Sequence, residues 1–282
     1  MFNSTAGSQP TTMSGAQPSM SSGKKLEDRI TIITGGNGGL GRAIAIPFIK
    51  EGAKVVLAAR NEETLSKVHQ ELVDLGAEVM SVPTDVASER DCINLFEKTM
   101  DRYGRVDILV NNAGVSGPTG SVAEISLEDW NDCLNIDITG AFLCTKEAAK
   151  IMIPQKSGNI INVSSIFGKR AYPFRSPYAV AKWGMIGFTQ SIAAELGKHN
   201  IRVNAICPGP VQGPRIERVW KKRAEIRNVP WEVIQEKMIR MAALRRIPTE
   251  EEVGKIALFL ASDESNSMTG QSLNVSCGTE MR

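Results

Sequence analysis

The chain has 282 residues, 42% of them hydrophobic, enough for one sizeable core or at most two small domains. Its 33 Lys and Arg nearly balance 31 Asp and Glu, so no charge excess points to a nucleic-acid partner. No apolar run approaches the roughly 18 residues that a membrane-spanning helix needs, and no membrane association is expected.

The chain opens with MFNSTAGSQPTTMSGAQPSMSSG, which carries no charge and lacks the basic start and apolar centre of a signal peptide. Such a composition cannot bury enough apolar surface to offset its ordering entropy. Residues 1–25 therefore read as a disordered tail and 26–282 as the folded domain. From Arg29 onward, short β-branched runs alternate with helical stretches. The strand candidates are RITIIT (29–34), KVVLAA (54–59), EVMSVP (78–83), VDILVN (106–111), NIINVS (159–164), IRVNAI (201–206) and QSLNV (271–275). Helix-period segments such as TLSKVHQELVDLG (64–76) and EEVGKIALFLAS (251–262) lie between them. Apolar strands separated by helices predict a single doubly wound α/β domain of the Rossmann type, with a seven-stranded parallel sheet. Pro47 falls inside the first expected helix and predicts a kink or a late start there.

The first strand runs directly into GGNGGLGRAIA. Two glycine patterns overlap, Gly36-x-Gly38-x-x-Gly41 and Gly35-x-x-x-Gly39-x-Gly41. Either lets the backbone turn tightly and approach a pyrophosphate at the start of the following helix. The strand-to-helix context raises this above an ordinary glycine-rich turn. The second strand ends Ala59-Arg60-Asn61, without the acidic residue that usually meets a free ribose 2′-hydroxyl. An arginine suits a 2′-phosphate, so NADP(H) is expected in preference to NAD(H), the alternative being an Arg60 that points into solvent.

Tyr172 and Tyr178 lie close together in SIFGKRAYPFRSPYAVAK (165–182). Four residues past Tyr178 is Lys182, whereas four past Tyr172 is Ser176. Side chains four apart share a helix face, so only Tyr178 has an ammonium held beside its phenol by local geometry. A positive charge beside a phenol favours its ionised form and makes it a usable acid or base. Ser165 alone reads equally as a helix cap or as a nucleophile, but no GxSxG elbow surrounds it and neither His69 nor His199 sits in a motif. Further on, residues 213–247 hold ten Lys and Arg against four Glu, and the loop before Tyr178 adds Lys169, Arg170 and Arg175. This predicts either a cleft that attracts an anionic substrate or a solvated helical lid with a charged outer face. Trp220 and Trp231 would wall the pocket or anchor that lid. Cys92, Cys133, Cys144, Cys207 and Cys277 are widely spaced with no CxxC pair, so no metal site is expected and a reduced, cytoplasmic setting is.

Taken in order, TGGNGGLG (34–41), TDV (84–86), NNAG (111–114), NVSS (162–165), YAVAK (178–182) and PGPV (208–211) resemble the signature of the short-chain dehydrogenase/reductase family. The chain is similar in style to the 3-oxoacyl-carrier-protein reductases. The resemblance covers about residues 26–280. It implies hydride transfer between a nicotinamide cofactor and a secondary alcohol or ketone, with a small-molecule substrate. Tyr178 would be the general acid/base, Ser165 would orient the substrate oxygen, and Lys182 would hold the nicotinamide ribose. Gly35, Asn37, Gly39, Leu40 and Gly41 would hold the cofactor phosphates. Asp85 and Val86 would flank the adenine, Asn111 and Gly114 would line the cofactor, and Pro208, Gly209 and Val211 would lie beside it. A homotetramer or homodimer is implied, and the segment at about 210–247 would be the substrate lid. Two positions depart from the family's pattern. Asp137, in NIDITG, stands where an asparagine supports a water relay to Lys182, and Asn135 points elsewhere because i and i+2 do not share a face. Gly213 replaces a threonine that meets the nicotinamide carboxamide. A carboxylate at 137 is still compatible with catalysis. The two departures leave open a rival reading, a non-catalytic dinucleotide-binding regulator, against which the intact Ser165, Tyr178 and Lys182 stand.

Overall fold

Along β1 (Ile30–Thr34) and β2 (Lys54–Ala59), successive side chains enter two different cores. Ile33, Val55 and Leu57 belong to one, and Ile32, Val56 and Ala58 to the other. Both faces of these strands are thus buried, which is why they read as continuous β-branched runs and not as alternating ones. The computed structural model describes residues 23–282; of the tail expected over 1–25, residues 1–22 lie outside the described residues, and Lys25 is already bonded to Glu51 and Glu264. The remaining strands are β3 (Val79–Pro83), β4 (Ile108–Asn111), β5 (Gly158–Val163), β6 (Ile201–Pro208) and β7 (Ser272–Val275). All pair in parallel, in the order β3-β2-β1-β4-β5-β6-β7. This is the expected seven-stranded doubly wound sheet. Its order reverses between β1 and β4, and that switch point is where such sheets open a crevice at the carboxyl ends of their strands.

One face is covered by α1 (Gly39–Lys50), α2 (Glu62–Asp74) and α9 (Glu250–Ala261), and the other by α3 (Glu89–Tyr103), α5 (Gly140–Gln155) and α6 (Ser176–Leu196). Side-chain caps mark several starts. Asn61 accepts the Thr64 N–H of α2 at 2.8 Å, and Thr249 and Glu252 form a reciprocal capping box on α9. A short helix α4 (Leu127–Leu134) passes through a π-helical turn, Asn135–Thr139, directly into α5. Two helices beyond β6, α7 (Pro214–Arg227) and α8 (Trp231–Met241), pack Trp220, Ala224, Ile234 and Met238 against Ile166, Phe167 and Tyr172 in a third apolar cluster. Trp220 is 1% exposed, and Trp231 packs at the edge of the same cluster. Of the two roles expected for them, both take the anchoring one.

The late start expected from Pro47 is not what forms. Helix α1 begins on the glycine loop at Gly39, and Pro47 sits near its end. Proline has no N–H to donate to the Ala43 carbonyl one turn back. Helix α9 uses that spot for a close crossing: a Cβ built on Gly254 would collide with the Ala43 oxygen and lie 3.5 Å from Pro47 Cγ. Gly254→Ala should therefore separate α1 from α9 and cost about 1–3 kcal/mol, as overpacked cores do. A urea denaturation series is the check. The midpoint should fall with an unchanged m value, and an unmoved midpoint would show that the two helices can part without loss.

Candidate active site

Loops at the carboxyl ends of β1, β4, β5 and β6 surround a cavity of about 660 Å³ at the switch point. From β1 come Gly35, Asn37, Gly38, Gly39 and Leu40; from β4, Asn112, Ala113, Gly114 and Ser116; from β5, Ser164 and Ser165; from β6, Pro208 through Gly213. Tyr178 and Lys182 of α6 and Arg215 and Arg218 of α7 complete it.

The glycines are there for close approach. Gly35 has φ +64°, and a Cβ on it would sit 2.9 Å from Ala113 Cα; a Cβ on Gly41 would collide with the Gly35 carbonyl. With no side chains in the way, the backbone from Gly35 to Leu40 faces the cavity at the start of α1, an arrangement that fits a dinucleotide pyrophosphate. The Asn37 side chain is turned to α2, donating to Thr64 Oγ1 at 2.8 Å.

Ser165, Tyr178 and Lys182 converge because α6 is clamped to the end of β5. Ser164 Oγ donates to the Lys182 carbonyl at 2.8 Å, and a Cβ on Gly168 would collide with that same carbonyl. Ser165 caps the short turn Ile166–Gly168, accepting the Phe167 N–H at 3.2 Å, so the capping role and a place in the cavity coexist. Lys182 is 4% exposed. Its Nζ donates to the Val163 carbonyl at 3.2 Å and lies 5.6 Å from the Tyr178 ring centroid.

Asp137 is fully buried within the π-helical turn. Its Oδ1 accepts the Val115 N–H at 2.6 Å, and its Oδ2 stands 3.2 Å from Lys182 Nζ as an ion pair, without the alignment of a hydrogen bond. A Cβ on Gly114 would come within 3.2 Å of the same carboxylate, so the glycine of NNAG makes room for it. Asn135 is exposed, on the other side of the turn, as the spacing requires.

Five expected cofactor residues do not line the cavity: Gly41, which packs against the Gly35 carbonyl, and Asn111, Arg60, Asp85 and Val86. Asn111 lies beneath it, donating from Nδ2 to Thr145 Oγ1 at 3.0 Å and Asn162 Oδ1 at 2.8 Å, where it ties β4 to β5 and α5. Arg60 is exposed at the end of β2, 3.9 Å from Asp85 across the neighbouring strand end. Val86 packs on Gly140 at the start of α5. Arg60, Asp85 and Val86 sit just past the ends of β2 and β3. The neighbour Asn112 lines the cavity instead of Asn111, its Nδ2 donating to the Thr34 carbonyl at 2.8 Å.

Most of the basic residues of the 213–247 segment lie away from the cavity. Only Arg215 and Arg218 line it, and of the loop before Tyr178 only Arg175 does; Lys169 and Arg170 are bonded to C-terminal carbonyls at Arg282 and Thr279. Arg175 is 2% exposed. Its Nη2 donates to the Ser116 carbonyl, and its guanidinium carbon lies 5.3 Å from the Tyr172 ring centroid and 5.0 Å from that of Tyr178. Burial pulls this guanidinium below the usual arginine range. A signal for it existed in the sequence: Arg175 stands three residues before Tyr178, as Lys182 stands four after.

A family model described as Enoyl-(Acyl carrier protein) reductase matches residues 35–280. The chain is 35% identical over 259 residues to the 3-oxoacyl-(acyl-carrier-protein) reductase FabG of Thermotoga maritima, covering 90% of this chain and 98% of that one. Among solved structures it superposes on NAD+-bound xylitol dehydrogenase with a TM-score of 0.88 at 32% identity, covering 90% of this chain and all of that one. An NADPH-bound actinorhodin polyketide ketoreductase gives a TM-score of 0.86 at 34% identity, with 89% and 97% covered. With the glycine loop, Ser165, Tyr178 and Lys182 around one cavity, the chain belongs to the short-chain dehydrogenase/reductase family and is an oxidoreductase that moves a hydride between a nicotinamide cofactor and an alcohol or ketone.

Proposed function

We propose that the chain is an NADP(H)-preferring reductase or dehydrogenase of a small hydroxy or keto compound that carries an anionic group. The observation that carries this reading is a cavity whose reacting end holds Ser165, Tyr178 and Lys182 and whose charged lining is Arg42, Arg175, Lys182, Arg215 and Arg218 against the single acid Glu250. The cofactor, when bound, supplies or accepts the hydride. Gly35, Asn37, Gly39, Leu40 and Gly41 would hold its phosphates, Asp85 and Val86 its adenine end, and Gly114, Pro208, Gly209 and Val211 its nicotinamide end. Tyr178 passes the proton to or from the substrate oxygen, and Ser165 orients that oxygen. Lys182 holds the ribose, and Asp137 holds Lys182. Helices α7 and α8 act as the substrate lid.

For the cofactor's 2′-phosphate, the support lies in what the other arginine is doing. Arg42 is committed to Glu71, with Nε donating to Oε2 at 2.7 Å, a pairing that raises the guanidinium and lowers the carboxyl. Arg60 has only the long contact to Asp85 and keeps donors free for phosphate. A cytoplasmic homotetramer fits the exposed Phe142, Val180 and Trp183 on α5 and α6. Among the described residues no helix is long and apolar enough to cross a membrane.

Two variants test the reading. Tyr178→Phe should lower turnover by about 10²–10⁴-fold, the usual contribution of a positioned acid or base. The change is followed at the reduced-nicotinamide absorbance, with cofactor affinity measured in parallel. Full activity in the variant would remove Tyr178 from the chemistry. Arg60→Ala should raise KM for NADPH by about 5–150-fold, the worth of one charge-assisted phosphate contact of about 1–3 kcal/mol, while KM for NADH stays within a few-fold. Equal changes for both cofactors would assign Arg60 to the protein's own packing.

A further inference from the structure

Lys182 and Arg175 flank the same phenol, and they are provided for in opposite ways. Lys182 has a buried carboxylate, Asp137, at 3.2 Å. Arg175 is equally buried and, among the described residues, has no acidic partner within ion-pair distance. One nitrogen donates to the Ser116 carbonyl, and Nε and Nη1 have no hydrogen-bond partner among the described residues. Two tyrosine faces give it cation–π contact, which offsets part of the lost hydration but satisfies no N–H. The chain also bends to put it there. Phe174, immediately before it, takes φ +66°, a conformation unusual for a bulky side chain, and its carbonyl accepts the Gly120 N–H at 3.0 Å. A strained backbone that holds an unneutralised guanidinium against the wall of a ligand cavity is explained by a ligand that neutralises it.

We propose that Arg175 binds a carboxylate of the substrate, so that this chain acts on small free hydroxy or keto acids. The Arg175 guanidinium carbon lies 5.0 Å from the Tyr178 ring centroid, so only a few bonds separate the carboxylate from the reacting carbon. Arg215 and Arg218 line the same cavity and add to the attraction. An ester, a thioester or an acyl chain linked to a carrier offers no charge at that position and gains nothing from Arg175. This inference rests on the oxidoreductase reading of the cavity and narrows its substrate to a class.

The test compares 3-hydroxybutyrate with its methyl ester, as alcohol substrates of the wild-type chain, Arg175→Gln and Arg175→Lys. The wild type should favour the acid over the ester in kcat/KM, chiefly through KM. That acid-to-ester ratio should fall about 10–150-fold in Arg175→Gln, the scale of a lost charge-assisted pair, and recover in part in Arg175→Lys. A wild type without acid preference overturns the proposal, as does a Gln variant in which acid and ester decline together. Binding of butyrate to the NADPH-loaded protein, measured by calorimetry, separates the two layers of argument. Arg175-dependent binding without turnover of either substrate supports the carboxylate site and sinks the oxidoreductase reading. Equal butyrate affinity in wild type and Arg175→Gln sinks the carboxylate site alone.

Discussion

A phenol ring held between two buried cations is the constraint around which this site is built. Lys182 and Arg175 lie 5.6 and 5.0 Å from the Tyr178 ring centroid, one on the helical turn after it and one on the turn before. Neither charge can be buried without compensation, since stripping water from an ion costs several kcal/mol even after the protein relaxes. What the surrounding loops supply follows from that cost. The β5 end contributes the Val163 carbonyl to Lys182, the π-helical turn contributes Asp137, and the loop after β4 contributes the Ser116 carbonyl to Arg175.

The backbone has to be thin wherever these pieces meet. Gly168 lies against the Lys182 carbonyl, Gly114 beside the Asp137 carboxylate, and Gly35 against Ala113. Each joins two segments that are separated along the chain. The parallel sheet makes that possible because it delivers the ends of β1, β4, β5 and β6 side by side at one edge. The residues that do chemistry are therefore few, and the residues that allow them to meet are mostly ones with little or no side chain.

The sheet and the Tyr178–Lys182 pair were legible in the chain because both rest on local spacing. Strands buried on both faces show as β-branched runs, and a helical i, i+4 pair needs no tertiary information. The π-helical turn at Asn135–Thr139 left no such mark, although it is what buries Asp137. Asn111 and Asn112 are adjacent and alike in sequence, and only the fold decides that Asn111 ties strands together while Asn112 faces the cavity. Charge counting misled in a similar way. It flagged the basic segment 213–247 together with Lys169, Arg170 and Arg175, yet most of these lie off the cavity, and nothing in the count set the deepest of them, Arg175, apart. Burial of one arginine among many depends on where the backbone turns at Phe174, which no composition reports.

Asp137 in place of an asparagine gains a meaning from this pairing of cations. An amide at that position would leave two unneutralised charges on one phenol, and an anion entering the cavity would be shared between them. With Asp137 present, Lys182 carries its own counter-charge, and of the two cations beside the phenol Arg175 is the one without an acidic partner among the described residues. On the proposed roles, the carboxylate separates two jobs that would otherwise compete for the same charge: holding a ribose and proton donor in place, and recognising the substrate. On this view the departure from the family's pattern is tied to the arginine three residues before Tyr178, and the two positions act as one electrostatic unit.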